Sequence, residues 1–159
     1  MLASGIETLI PSGAVLIGAN CKTADEVIRA LSAVLYACGN VKQSHAGATL
    51  AREATHPTGL PTEGLFCVAI PHTDPEHVLK PGIAIATLPE PVSFKNMEDL
   101  DECLPVRLVF MLAFTDKDKQ IEALQMVAGM LQSPDILSAI VSATTAGDIL
   151  DIIKGQGQA

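Results

Sequence analysis

Residues 65–72 read Leu65-Phe66-Cys67-Val68-Ala69-Ile70-Pro71-His72, an apolar run that begins after Gly64 and stops at Pro71. The run is short and is bounded by glycine and proline, so it predicts a buried β-strand rather than a helix. Other apolar runs predict further strands at Ala14–Gly18, Ile83–Leu88, Val92–Phe94 and Val106–Phe114. We therefore expect a sheet of about five strands, with His72 directly after one of them.

Helical signals precede and follow these strands. Thr23 with Glu26 is a capping-box pattern that begins a helix, and Gly39 is a plausible stop for it. A second helix is expected over Ser44–Thr55. Three later helices are expected to begin near Asp118, at Ser133-Pro134 and at Thr145.

Helices on both sides of a cluster of strands indicate a layered α/β domain. Several connections between strands are too short to be helical crossovers, which favours a sheet with parallel and antiparallel pairs. The sequence predicts a three-layer α/β/α sandwich with a mixed sheet of about five strands. This sandwich is expected to form a single domain over residues 1–154. Residues 155–159 are expected to be a frayed tail.

The composition excludes several classes of function. The chain has 159 residues and a net charge of −8, which argues against a broad nucleic-acid surface. No apolar stretch approaches the roughly 20 residues that span a bilayer, so no direct membrane insertion is expected. The four cysteines form no Cys-x-x-Cys pair. We expect reduced thiols, no secretory signal and a cytoplasmic protein.

His72 is the first candidate for chemistry, because reactive groups of α/β domains often follow strand ends. An imidazole titrates near neutral pH and can act as a nucleophile. The alternative from the residues alone is a structural histidine at a strand end. His72, Asp74, Glu76 and His77 also suggest metal ligands, but their spacing fits no strong zinc signature, and no metal is expected.

A set of residues around His72 carries a family resemblance. Arg52-Glu53, Pro57-Thr58-Gly59 and Ala69-Ile70-Pro71-His72 together resemble the IIA domains of the fructose–mannitol superfamily of sugar phosphotransferase systems. The Pro-Thr-Gly form and residues 125–137 are most similar to the galactitol-type branch. The similarity spans nearly the whole domain, and its specificity lies mainly in residues 52–74.

The resemblance implies a phosphocarrier. In this family, the histidine that matches His72 takes a phosphoryl group from HPr and passes it to a cysteine of a IIB component. IIB then phosphorylates sugar entering through a membrane IIC component, so IIC is an indirect partner. No cofactor is implied, because the phosphoryl group is carried covalently on His72. Galactitol or another polyol is the sugar that the branch suggests.

The resemblance also implies supporting residues. Arg52 matches the family's arginine, whose guanidinium can hold phosphoryl oxygens; the alternative is a surface arginine paired with a carboxylate. Thr58 and Gly59 form either a turn that supports the phosphate site or simply a turn. Glu53 is interpreted as a structural charge on the helix.

One feature departs from mannitol-type relatives, which carry a second active-site histidine after the strand that matches Val106–Phe114. Residues 115–120 contain no histidine here. Lys119 or Gln120 is a weaker candidate to replace it, and His56 is another, otherwise a solvated loop residue. His45 is expected on a helix surface.

Two alternatives to a transport phosphocarrier stay open at this point. One is a regulatory IIA-like protein in which the phosphorylation state of His72 controls binding to a partner protein. The other is a non-catalytic domain that has kept the fold, which the intact Arg52 and Pro71-His72 argue against.

Overall fold

The computed structural model describes residues 5–157, with ten named helices and strands in that range. In chain order they are β1 (Val15–Leu16), α1 (Ala24–Ala37), α2 (His45–Thr55), β2 (Gly59–Leu60), β3 (Cys67–Ala69), β4 (Gly82–Asn96), β5 (Asp99–Ala113), α3 (Lys117–Met130), α4 (Pro134–Ser142) and α5 (Ala146–Gly157). Short 3-10 helices lie at Ile6–Leu9 and Pro75–His77.

The sheet is mixed and is built on the antiparallel β4–β5 hairpin. β1 pairs in parallel with β4, and β3 pairs in parallel with β5. β2 runs antiparallel to β3 and meets the far end of β4 through the pairing of Gly59 with Asn96. Helices cover both sides of this five-stranded sheet, so the predicted three-layer architecture is confirmed.

The two predicted strands over residues 83–94 are one continuous strand, β4. Its pairing with β5 becomes irregular between Thr87 and Val92, where Pro89 and Pro91 stand. Proline has no backbone N–H to donate to a neighbouring strand, so the ladder is interrupted without ending the strand. The sequence signal for two strands came from this interruption.

The start of α1 follows the predicted cap. The Thr23 hydroxyl accepts a hydrogen bond from the Glu26 backbone N–H at 3.1 Å, and the Glu26 carboxylate accepts one from the Lys22 N–H at 2.7 Å. Just past the helix, Gly39 has a φ of +79°, which glycine adopts without the penalty that a Cβ would bring. Both predicted boundary signals of α1 are confirmed.

The C-terminal boundary differs from the predicted one. α5 continues to Gly157, so residues 155–157 are helical rather than a frayed tail. Ile149 and Ile153 are buried on this helix and anchor it to the core, which explains why it continues past the lysine at 154. Residues 158 and 159 of the predicted tail lie outside the described residues.

His45 is fully buried, and the expectation that it lies on a helix surface is wrong. It opens α2, which packs against α1, and its Nδ1 is 2.8 Å from the Ser32 hydroxyl of α1. Burial, and then the nearby His77, lowers the pKa of His45 to about 4. This imidazole is therefore neutral at physiological pH.

Within residues 5–157, no single helix combines the length and apolar character needed to cross a membrane. α3 and α4 reach that length and composition only when they are counted together across a 97° bend.

Candidate phosphoryl-transfer site

His72 lies just beyond β3, held against the hairpin strand β5. The Pro71 carbonyl accepts a hydrogen bond from the Leu112 N–H at 3.1 Å, and His72 pairs in parallel with Leu112. Pro71 itself fixes φ at this point of the chain. The backbone that carries the imidazole is therefore an extension of the sheet rather than a free loop.

The ring of His72 has a defined tautomer. Its Nδ1 lies 2.8 Å from the carbonyl oxygen of Ile70. A carbonyl oxygen only accepts hydrogen bonds, so Nδ1 carries the proton and donates it. The lone pair that remains for chemistry is on Nε2.

The pKa of His72 lies below that of a free histidine. Burial is the largest cause, and the positive charge of Arg52 acts in the same direction. The hydrogen bond to Ile70 and the carboxylate of Asp74 oppose the shift. The net effect keeps the imidazole neutral at pH 7, which is the state that a nucleophile needs.

His72 is 8% exposed, yet it lines an open pocket of about 460 Å³. The end of α2, the loop after it, the β4–β5 turn and α3 supply the other walls. The other lining residues are Arg52, Thr55, His56, Pro57, Thr58, Met97, Glu98, Leu100 and Leu124. A group the size of a phosphoryl oxyanion has room to reach the imidazole.

Arg52 lies in the last turn of α2 and lines the same pocket. Its Nε is buried and has no hydrogen-bond partner among the described residues. Within residues 5–157, no carboxylate forms an ion pair with its guanidinium. Arg52 and His72 thus line one pocket, and the guanidinium is a cation that could bind an anion there.

The hydroxyl of Thr58 is hydrogen-bonded to Glu53, so its proton is not available in the pocket. The Glu53 carboxylate accepts hydrogen bonds from the Thr58 N–H at 2.9 Å and from the Thr58 hydroxyl at 2.8 Å. A phosphate oxygen is also an acceptor, so this hydroxyl cannot donate to it while it donates to Glu53. In this arrangement Thr58 supports the site through its position.

Gly59 is a close-packing residue rather than part of the pocket lining. It begins β2, where only a turn was expected, and a Cβ there would lie 2.5 Å from the Lys95 carbonyl oxygen. Only glycine allows this approach. The Gly59 carbonyl in turn accepts a hydrogen bond from the Met97 N–H at 2.8 Å, which brings the β4–β5 turn to the site.

The weaker candidates separate into two groups. His56 lines the pocket, is exposed, and has its Nδ1 2.9 Å from the Thr55 hydroxyl. Lys119 lines a different pocket, with Pro81 and Phe114, and pairs with Glu122 at 3.7 Å. Neither Lys119 nor Gln120 lines the His72 pocket; α3 contributes Leu124 to it instead.

Sequence reasoning missed the contribution of the β4–β5 turn. Met97 and Glu98 of this turn, with Leu100 at the start of β5, line the pocket. The polar residues between two apolar strands indicate a hairpin turn, but they do not indicate which part of the domain the turn approaches. No group of three or more His, Cys, Asp or Glu side chains within residues 5–157 is placed to hold a metal ion.

Comparison with known proteins identifies the family of this chain. The model of the family described as phosphoenolpyruvate-dependent sugar phosphotransferase system, EIIA 2, matches residues 8–156. The galactitol-specific EIIA component of Escherichia coli (strain K12) is 31% identical over 74% of this chain and 77% of its own length.

Solved structures give the same fold. Enzyme IIAMTL of Escherichia coli, in its complex with phosphorylated enzyme IIBMTL, has a TM-score of 0.74 and 25% identity, over 92% of this chain and 97% of that one. The nitrogen regulatory protein IIA-Ntr of Neisseria meningitidis has a TM-score of 0.74 and 21% identity, over 93% and 98%. The resemblance seen in residues 52–74 is confirmed: the chain belongs to the EIIA 2 family of the phosphoenolpyruvate-dependent sugar phosphotransferase system.

Proposed function

We propose that Nε2 of His72 accepts a phosphoryl group from phosphorylated HPr and passes it to a cysteine of a IIB component. The observation that carries the proposal is the fixed tautomer of His72 in an open pocket beside Arg52. A neutral imidazole with its lone pair on Nε2 is a competent nucleophile, and a cation beside it can receive the negative charge of the phosphoryl group.

In the first step the Nε2 lone pair attacks phosphorus. The P–N bond to the donor's imidazole breaks, and its electron pair returns to that imidazole. Arg52 stabilises the equatorial oxygens during the transfer. The phosphorylated ring keeps its Nδ1–H, and the Ile70 carbonyl continues to accept that proton's hydrogen bond.

In the second step a thiolate of the IIB partner attacks the same phosphorus. The P–N bond to His72 breaks, and its electron pair returns to Nε2, which restores the starting tautomer. The mannitol-type relative that was solved with its phosphorylated IIB partner supports this assignment of the acceptor. The phosphoryl group is the only cargo, and no cofactor takes part in either step.

The galactitol-specific relative supports galactitol or a similar polyol as the sugar. Sugar recognition belongs to the membrane IIC component, which this chain serves only through IIB. We place the protein in the cytoplasm, where HPr and IIB operate.

Incubation with phosphoenolpyruvate, enzyme I and HPr tests the proposal. Intact-mass measurement should detect one acid-labile phosphoryl group on the parent protein and none on His72→Ala, because that variant lacks the proposed acceptor, Nε2 of His72. His56→Ala should retain full stoichiometry. A phosphorylated His72→Ala protein would show that another residue is the acceptor.

The regulatory alternative uses the same histidine. The fold that this chain shares with IIA-Ntr is the reason to test that alternative. Adding the IIB component that acts on galactitol separates the two functions. Rapid loss of the phosphoryl group to IIB supports transport. A stable phosphoprotein that is not discharged by IIB favours the regulatory function.

A further inference from the structure

We propose that Glu53 is a positioning residue for the phosphoryl transfer: through Thr58 and Ile70 it fixes the ring of His72. The inference rests on the proposed function of His72. It replaces the interpretation of Glu53 as a structural charge with a specific chain of three hydrogen-bonded residues that ends on the nucleophile.

The first link joins α2 to the loop that follows it. Both carboxylate oxygens of Glu53 are used, one by the Thr58 N–H and one by the Thr58 hydroxyl. Thr58 is 2% exposed and Glu53 is half-buried, so this contact is partly shielded from solvent. Burial raises the pKa of Glu53, while the two hydrogen bonds from Thr58 and the charge of Arg52 oppose that rise. A half-buried carboxylate with two charge-assisted hydrogen bonds holds its partner in place.

The second link joins Thr58 to the residue that binds His72. The Thr58 carbonyl accepts a hydrogen bond from the Ile70 N–H at 3.2 Å, and the Ile70 carbonyl accepts the Nδ1–H of His72 at 2.8 Å. The backbone N–H of Ile70 therefore donates to Thr58, and the backbone carbonyl of Ile70 accepts from His72. Thr58 sets where this acceptor lies.

Glu53 also keeps its neighbour Arg52 available. A carboxylate whose two oxygens both accept from Thr58 has less capacity to pair with an adjacent guanidinium, and Arg52 forms no ion pair among the described residues. These two consecutive residues of α2 thus have different roles. Arg52 binds the phosphoryl group, and Glu53 holds the Thr58–Ile70 backbone that orients the imidazole.

Glu53→Gln, Thr58→Val and the control Glu90→Gln test this inference. Glutamine replaces one carboxylate oxygen with an NH2 group, which only donates, so one of the two Thr58 donors loses the oxygen that it binds. Glu90 is exposed on β4 and makes the same charge change away from the pocket. We expect Glu53→Gln to slow single-turnover transfer from phosphorylated HPr by between about 10-fold and about 100-fold, as misplacement of a reacting group does.

A second readout follows the ring of His72 itself. NMR chemical shifts of its two nitrogens should report the Nδ1–H tautomer in the parent and in Glu90→Gln. In Glu53→Gln and Thr58→Val they should move toward a mixture of tautomers. Thr58→Ser keeps the hydroxyl and should recover the rate and the tautomer that Thr58→Val loses. Because Thr58→Val keeps the side-chain shape, it carries the test if Glu53→Gln does not fold.

Transfer at the parent rate in Glu53→Gln, with an unchanged tautomer, would overturn the inference. So would a slow Glu53→Gln whose ring shifts match the parent's, because Glu53 would then act by another route. If the parent protein accepts no phosphoryl group at all, the proposed function fails, whereas the ring shifts of the unphosphorylated variants still decide the positioning role of Glu53.

Discussion

His72 and His45 are both buried histidines, but only His72 of the two lines the candidate site. Each has its Nδ1 2.8 Å from an oxygen, a carbonyl for His72 and the Ser32 hydroxyl for His45. Burial lowers the pKa of both rings. His72 lines an open pocket with Arg52, whereas the Nε2 of His45 is enclosed and has no hydrogen-bond partner among the described residues.

The two histidines share the properties that accompany burial and differ in those that a phosphoryl acceptor needs. A neutral ring and an engaged Nδ1 occur at both positions, so neither property marks the site. Of these two histidines, only His72 lines an open pocket, and Arg52 in that pocket forms no ion pair among the described residues. Removing the cation or the access to the pocket should therefore reduce phosphoryl transfer to His72.

Removing the cation should have the largest effect. Arg52→Ala should slow phosphoryl transfer to His72 by between about 100-fold and about 1000-fold, because one preorganised contact to the developing charge is lost. Rapid-quench measurement of transfer from phosphorylated HPr gives the rate. Arg29→Ala, an exposed arginine of α1, is the matched control and should transfer at the parent rate.

Arg52 is half-buried, so the folded state must be checked alongside the rate. We expect thermal unfolding of Arg52→Ala to remain close to that of the parent protein. Equal transfer rates in Arg52→Ala and the parent would remove Arg52 from the site and leave the two histidines distinguished by access alone.

The second prediction concerns the enclosed histidine. His45 has a pKa of about 4 when folded, so below its unfolded pKa of about 6.5 the unfolded chain binds a proton that the folded protein excludes. The stability that a neutral His45 provides is present above the unfolded pKa and is lost as the pH falls toward the folded pKa. Between about pH 7 and about pH 5 this loss is roughly 2 kcal/mol of unfolding free energy.

Urea unfolding of the parent and of His45→Gln at both pH values measures this difference, since other titrating groups are common to the two proteins. His45→Gln should be less stable at neutral pH and should lose less on acidification. His56→Gln, at an exposed position, should lose as much as the parent. Identical pH dependence in the parent and His45→Gln would contradict a buried neutral imidazole.

The smallest effect is expected at Lys119, which belongs to a different pocket. Lys119→Ala should change the transfer rate by less than about twofold, because the residue does not line the His72 pocket and its ion pair with Glu122 is partly exposed. The same rapid-quench measurement applies. A loss of about tenfold or more, at the level expected of a general acid or base, would show that the start of α3 does replace the second histidine of mannitol-type relatives.

Local signals in the sequence predicted most of the fold. The Thr23 cap, the Pro134 start of α4 and the apolar strand before Pro71 depend on neighbouring residues, so they can be recognised without the tertiary structure. His72 was recognised for the same reason, because Pro71 and the strand before it are adjacent in the chain.

Predictions failed where a side chain's surroundings come from distant segments. His45 is buried because α1 covers the face of α2 that carries it, and no pattern within α2 reports that contact. Analogy in sequence position predicts that Lys119 and Gln120 lie near the site. The orientation of α3 directs Leu124 to the pocket instead.

The sequence by itself determined the mixed α/β architecture and the family, and it predicted His72 and Arg52 as the candidate site residues, because short-range patterns and one compact motif encode them. Only the tertiary structure decided which nitrogen of His72 is free, what Thr58 binds and which loop walls the pocket. Those properties depend on distances between residues far apart in the chain, which are set when the sheet and helices pack together.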